Sequence, residues 1–236
     1  MFHVKICGVT TAADAEMVAA AGADAIGLNF VQGSPRQLDL SRGRGVAAAI
    51  PTGVLRVGVF AGMSAVDMLQ IARALALDAI QLHGHLDGTH APTDPPARCR
   101  ELAGLPVIRA VRLDTSQPGV DPLAAARQWI AAATAAGGPP AMVIVDASVS
   151  RGTQPGRLGG TGELVDWTAL ARADSLPVPM AVAGGLTPEN VTTAIRITGL
   201  FAVDTASGVE VAPGRKDPRK VRDFIAAAHL GLEGIR

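Results

Sequence analysis

Eight short apolar runs, an Ala-rich helical pattern after each of them and a length of 236 residues together predict a single closed (β/α)8 barrel of the α/β class. Strands that alternate with helices read as a parallel sheet with the helices packed outside it. A chain close to the ~250 residues of one such barrel leaves no room for a second ordinary domain, so residues 1–236 are expected to form one catalytic domain. An open doubly wound sheet with the same strand count is the structural alternative.

The units run in order. A strand over Val4–Cys7 precedes a helix over Ala12–Ala21, then Ala25–Phe30 precedes Ser41–Ala49, and Leu55–Phe60 precedes Ser64–Leu75. Ala79–His83 leads to Ala97–Ala103, Val107–Arg112 to Pro122–Ala136, and Met142–Ala147 to Val165–Arg172. Met180–Ala183 with Pro188–Ile197 and Phe201–Thr205 with Pro218–Leu230 complete the eight. Several helix starts carry local signals. Ser64 followed by Asp67 resembles a capping box. Thr187-Pro188-Glu189, Asp121-Pro122 and Asp217-Pro218 each put a capping side chain before a proline in the first turn. Two polar stretches, His85–Arg98 and Ser148–Gly162, are too long for simple turns. Both follow strands and so belong to the C-terminal face, where barrel active sites lie.

Composition removes several function classes. Hydrophobic residues make up 48% and charged residues 18%, which suits a large buried core. Lys plus Arg equals Asp plus Glu at 21 each, so the basic excess of a nucleic-acid or membrane-surface binder is missing. The two cysteines, Cys7 and Cys99, make no disulfide framework and fit a reducing compartment. Apolar stretches are too short or too broken for a signal peptide or a spanning helix. A cytoplasmic monomer or homodimer acting on a small molecule is expected.

Strand side chains alternate between faces, which sorts the polar residues. Val4 and Ile6 face the helices, so Lys5 and Cys7 point into the barrel. Ile80 and Leu82 face out, so Gln81 and His83 point in. Val143 and Val145 face out and Asp146 points in; Phe201 and Val203 face out and Asp204 points in. Cys7, His83, Asp146 and Asp204 thus converge on one space from the C-terminal ends of different strands. Each has an ordinary structural reading: a buried thiol, a hydrogen-bonded histidine, a loop-capping aspartate. Lys5 and Gln81, one layer deeper, fit a satisfied polar network, because a buried charge needs a partner. Convergence of four such residues is harder to explain that way than any one of them.

Glycine-bearing turns follow the last two strands: Ala183-Gly184-Gly185-Leu186, and Thr205-Ala206-Ser207-Gly208-Val209-Glu210. Loops at these positions commonly hold phosphate through backbone N–H groups. Gly184, Gly185, Ala206, Ser207 and Gly208 are therefore candidate phosphate-binding residues. Gly159-Gly160-Thr161-Gly162 lacks the lysine of a P-loop. His83, His85, His90 and Cys99 do not match zinc-site spacing, and no metal is expected.

Segments along nearly the whole chain resemble the phosphoribosylanthranilate isomerase family of tryptophan biosynthesis. They include Lys5-Ile6-Cys7-Gly8, Ser34-Pro35-Arg36, Gln81-Leu82-His83-Gly84, Val145-Asp146, Gly184-Gly185, Ser207-Gly208-Val209-Glu210, Pro213-Gly214 and Lys216-Asp217. The stretches after His85 and after Asp146 are longer than is usual there, and Thr205-Ala206 replaces a more Ser-rich turn. The resemblance implies an Amadori rearrangement with no redox or metal cofactor. Asp146 is then the general acid that opens the furanose, and the Cys7 thiolate is the base at the sugar C2. Arg36 pairs with the anthranilate carboxylate, the glycine turns hold the phosphate, and His83 and Asp204 line the pocket. The acid needs desolvation or nearby negative charge, and the thiolate needs a nearby cation, for which Lys5 is a candidate. The related histidine-pathway aminoaldose isomerase is the enzyme alternative, although that family carries Asp at the Cys7 position. A phosphosugar-binding barrel without catalysis is the alternative of another class.

Overall fold

Eight parallel strands close into a barrel in sequence order in the computed structural model, which describes residues 1–85, 93–115, 119–147 and 166–234. The strands are β1 (Val4–Cys7), β2 (Ala25–Asn29), β3 (Leu55–Phe60), β4 (Ala79–Leu82), β5 (Val107–Arg112), β6 (Met142–Asp146), β7 (Met180–Ala183) and β8 (Val203–Thr205). The helices between and after them are α1 (Ala12–Ala20), α2 (Leu40–Ala48), α3 (Ala65–Leu75), α4 (Arg98–Glu101), α5 (Ala124–Ala135), α6 (Trp167–Arg172), α7 (Val191–Thr198) and α8 (Pro218–Glu233). Closure comes from β8 pairing with β1, which sets Lys5 beside Asp204. The expected (β/α)8 barrel is therefore the observed fold.

Alternation along the strands explains the two buried layers. Val4, Ile6, Ile26, Leu28, Ile80, Leu82, Val143 and Val145 belong to the outer core, where they meet helix residues such as Phe224 and Ile225. A second cluster fills the barrel with Ala25, Val57, Ala79, Ile108, Met142, Ile144, Ala181 and Ala183. Its many alanines leave room for the longer Lys5 and Gln81 side chains, both buried. Arg109, by contrast, points outward from β5 into the helical layer, where it sits over the Trp129 ring of α5 at 5.0 Å.

Local signals hold in part. The Ser64 hydroxyl accepts from Asp67 N–H and donates to its carboxylate, and Asp217 caps α8 with Pro218 in the first turn. Each such cap stabilises a helix by about 1 kcal/mol. Two expected starts are displaced. α7 begins at Val191 rather than Pro188, because Pro188–Asn190 form a separate turn. In that turn the Asn190 carboxamide accepts from Thr187 N–H and donates to Gly185 C=O. α5 begins at Ala124, after Asp121 accepts from Leu123 N–H across Pro122. Phe201 does not join the last strand as expected: the chain is still leaving α7, and the residue is 53% exposed.

One element was not foreseen. After β8 a short 3-10 turn (Ser207–Val209) leads into an antiparallel hairpin of β9 (Glu210–Ala212) and β10 (Arg215–Lys216), turning at Pro213-Gly214. Among the described residues no helix is long and apolar enough to cross a membrane.

Candidate active site

Strand parity and closure bring Lys5, Cys7 and Asp204 together at the β1–β8 seam. The buried Lys5 ammonium donates to Asp204 Oδ1 at 2.8 Å. Burial alone would lower the Lys5 pKa, but the charges of Asp204 and Cys7 outweigh it and raise it, so the ammonium stays charged. Cys7 is half-buried at the end of β1. Burial pushes its thiol up, Asp204 pushes the same way, and Lys5 and Lys216 oppose them without winning. The inward face of Gly27 on β2 makes room for the sulfur, since a Cβ there would lie 2.7 Å from Sγ.

His83 and Asp146 come from the other side of the mouth. His83 follows β4 and its backbone N–H donates to Phe60 C=O at 2.7 Å. Burial lowers the imidazole pKa to about 4, against the pull of Asp146, so the ring is neutral near pH 7. Its Nδ1 is buried with no hydrogen-bond partner among the described residues. Asp146 ends β6, half-buried, with Arg112 of β5 and Ala183 of β7 in register beside it. Its charge reaches both His83 and Asp204, which links the two halves of the mouth.

Gly184 and Gly185 form the turn after β7, both at positive φ. Ala206, Ser207 and Gly208 form the turn after β8. The two turns are tied together: Thr205 Oγ1 donates to Leu186 C=O at 2.8 Å. Gly208 packs so closely there that a Cβ would lie 1.8 Å from the Leu186 oxygen, a position only glycine can fill. The candidate phosphate residues are thus one continuous backbone surface.

Arg36 has a partner that strand reasoning missed. Its Nε and Nη2 donate to the two Glu210 carboxylate oxygens at 2.8 and 2.7 Å, a fork-to-fork pair. That pair raises the Arg36 pKa and, against burial, lowers that of Glu210. The same carboxylate accepts from Lys216 Nζ at 2.9 Å, because the hairpin register sets Lys216 opposite Glu210. The Pro213-Gly214 dipeptide between them was the available signal, since it marks a turn. Of the expected loops, residues 86–92, His90 among them, and 148–162 lie outside the described residues, as does Val165 at the expected start of α6. Among the described residues no group of three or more His, Cys, Asp or Glu side chains could hold a metal ion.

A parallel barrel with a thiol, two carboxylates and a neutral imidazole around its C-terminal mouth, and paired glycine turns beside them, defines a barrel enzyme. The family model of N-(5'phosphoribosyl)anthranilate (PRA) isomerase matches residues 4–227. The chain is 40% identical over 227 residues to the N-(5'-phosphoribosyl)anthranilate isomerase of Neisseria meningitidis serogroup C, covering 96% of each. Among solved structures, a phosphoribosyl anthranilate isomerase in complex with reduced 1-(o-carboxyphenylamino)-1-deoxyribulose 5-phosphate is 30% identical. Its TM-score is 0.73, with 97% of this chain and 99% of that one covered. A structure of monomers generated from the dimeric isomerase of Thermotoga maritima is 29% identical with a TM-score of 0.72, covering 97% of this chain and 99% of that one. The chain belongs to the N-(5'-phosphoribosyl)anthranilate isomerase family. It is accordingly an isomerase of tryptophan biosynthesis.

Proposed function

We propose that the chain converts N-(5'-phosphoribosyl)anthranilate to 1-(2-carboxyphenylamino)-1-deoxyribulose 5-phosphate, with Asp146 as acid and Cys7 as base. The observation that supports this reading is the position of the two groups, at the C-terminal ends of β6 and β1, three strands apart around the closed ring. Asp146 gives its proton to the furanose ring oxygen, and the C1–O bond opens as the anilinic nitrogen lone pair forms an iminium. The Cys7 thiolate then removes the C2 proton, the electron pair moves to quench the iminium, and the resulting enolamine tautomerises to the ketone. An acid and a base working in turn on the two faces of one sugar need distinct environments. Cys7 sits among Lys5, Lys216 and Arg36, whereas Asp146 sits beside the neutral His83.

Substrate binding follows the same layout. Backbone N–H groups of Gly184, Gly185, Ala206, Ser207 and Gly208 take the phosphate. The Arg36 guanidinium takes the anthranilate carboxylate on the edge that Glu210 does not use. His83 offers its unpartnered Nδ1 to the open-chain sugar, and Asp204 lines the pocket while holding Lys5. The protein works in the cytoplasm as one barrel domain, monomeric or homodimeric, which sedimentation resolves directly.

Cys7→Ser and Asp146→Asn test the assignment. Each should lower kcat by about 10²–10⁴-fold, the usual worth of a positioned acid or base, with an unchanged circular dichroism spectrum. Near-normal turnover in either folded variant removes the role given to that residue.

A further inference from the structure

We propose that Glu210 is a positioning residue that aims Arg36 at the substrate carboxylate and, through Lys216, locks the Cys7 strand end and the phosphate turn to the same anchor. The proposal rests on the reading that Arg36 meets that carboxylate. Four observations carry it.

Both Glu210 oxygens engage the Nε–Nη2 edge of Arg36, so the guanidinium plane is fixed and its Nη1 side is left for a second planar anion. The Arg36 stem lies across Gly8, whose φ is +73; a Cβ there would stand 2.3 Å from Arg36 Cδ. The arginine is therefore held directly against the backbone that follows Cys7. Lys216 spends its three ammonium protons on Glu210 Oε1, Cys7 C=O at 2.7 Å and Ala206 C=O at 3.0 Å. It thereby joins the end of β1 to the turn after β8.

Charge count supplies the fourth observation. Arg36 and Lys216 share one carboxylate, and their side chains are 10% and 0% exposed against 4% for Glu210. The Lys220 ammonium adds further positive charge by donating to the Glu210 backbone carbonyl at 3.0 Å. Two cations on one anion leave a net positive charge in a poorly hydrated place, and such a charge is costly until an anion meets it. A substrate carboxylate on Arg36 completes the cluster. Glu210 sets where that carboxylate arrives relative to the Cys7 end of β1.

Steady-state kinetics on three variants test this. Arg36→Met should raise KM for N-(5'-phosphoribosyl)anthranilate. Glu210→Gln, which keeps the shape and removes the charge, should raise KM by about tenfold, the worth of one charge-assisted contact. In the Arg36→Met background, Glu210→Gln should raise KM by a smaller factor than it does alone, since the part of its role that acts through Arg36 is already gone. A purely structural role would instead give the same loss in both backgrounds, and that result overturns the proposal. An unchanged KM in Glu210→Gln beside a raised KM in Arg36→Met also overturns it, while leaving the carboxylate reading intact. An unchanged KM in Arg36→Met removes the carboxylate reading, and the proposal with it. If Glu210→Gln does not fold, Glu210→Asp keeps the charge but draws it back by one methylene, and a raised KM is again expected. Unchanged KM there, or failure of both variants to fold, assigns Glu210 to stability alone and overturns the proposal.

Discussion

Two buried ionic clusters sit on the same barrel and differ in their charge balance. Outside the strands, Arg109 of β5 faces Asp94 at 3.5 Å, and both side chains are fully buried. One cation meets one anion. The Asp94 carboxylate also accepts from Gly62 and Gly84 N–H groups, Arg109 donates to Gly84 C=O, and Trp129 Nε1 donates to Asp94 C=O. At the mouth, Lys5, Arg36 and Lys216 meet Asp204 and Glu210 beside a half-buried thiol. Three cations meet two anions at the β1–β8 seam, with Asp146 across the mouth from them. The outer cluster is balanced in charge, although Arg109 Nε has no hydrogen-bond partner among the described residues, and it fastens the chain after β3 and after β4 to the helical layer. At this seam the cations outnumber the carboxylates paired to them and the sulfur is accessible, the state expected of a site that waits for an anionic substrate.

The largest effect is expected from breaking the balanced cluster. Asp94→Ala strands a buried guanidinium that burial has already lowered to a pKa of about 10. Removing one partner of such a pair typically costs about 3–5 kcal/mol. Urea denaturation should show that loss, while KM of the folded fraction stays near normal because no substrate contact is touched. A stability change below about 1 kcal/mol would mean that the pair is no stronger than a surface one.

Much of this contrast was legible beforehand, for a physical reason. A two-residue period along each strand places Cys7, His83, Asp146 and Asp204 inward, and the strand–helix alternation places their strand ends on one face. Every strand begins and ends within about two residues of its expected position. Arg36 was legible only through the family resemblance, because a side chain after a proline turn follows no period. Glu210 and Lys216 were quoted in motifs but given no role. Their pairing depends on a hairpin register set by Pro213-Gly214, and on closure bringing residue 210 next to residue 36. The Arg109–Asp94 pair was missed because Asp94 approaches from a proline-rich loop whose path no local pattern encodes.

The thiol gives an intermediate test, one of sign. Burial and Asp204 push Cys7 above the ordinary thiol range, so the thiolate fraction grows with pH. The pH dependence of kcat/KM should therefore rise toward alkaline pH, with its limb above about 8.5. Asp204→Asn removes an anion that disfavours the thiolate and leaves the sulfur as the anionic partner of Lys5. The limb should move to lower pH. Alkylation by iodoacetamide reports the same group directly, because Cys99 is buried and its thiol is pushed up to about 11. A limb that stays put or moves up in Asp204→Asn, by both measurements, would remove Asp204 from the control of Cys7.

The smallest effect calibrates the other two. On α8, Arg219 and Asp223 lie one helical turn apart at 3.6 Å, with side chains 86% and 57% exposed. The separation is close to that of Arg109 and Asp94, so a rule based on distance alone would rank the two pairs together. Water and salt already satisfy both exposed charges, and holding two long side chains in one geometry costs entropy. Arg219→Ala should leave the urea midpoint and both kinetic constants unchanged within error at physiological salt. A loss comparable to that of Asp94→Ala would show that ion-pair distance, and not burial, governs the energetics of this barrel. The distinction between a balanced buried cluster and an unbalanced one would then lose its physical basis.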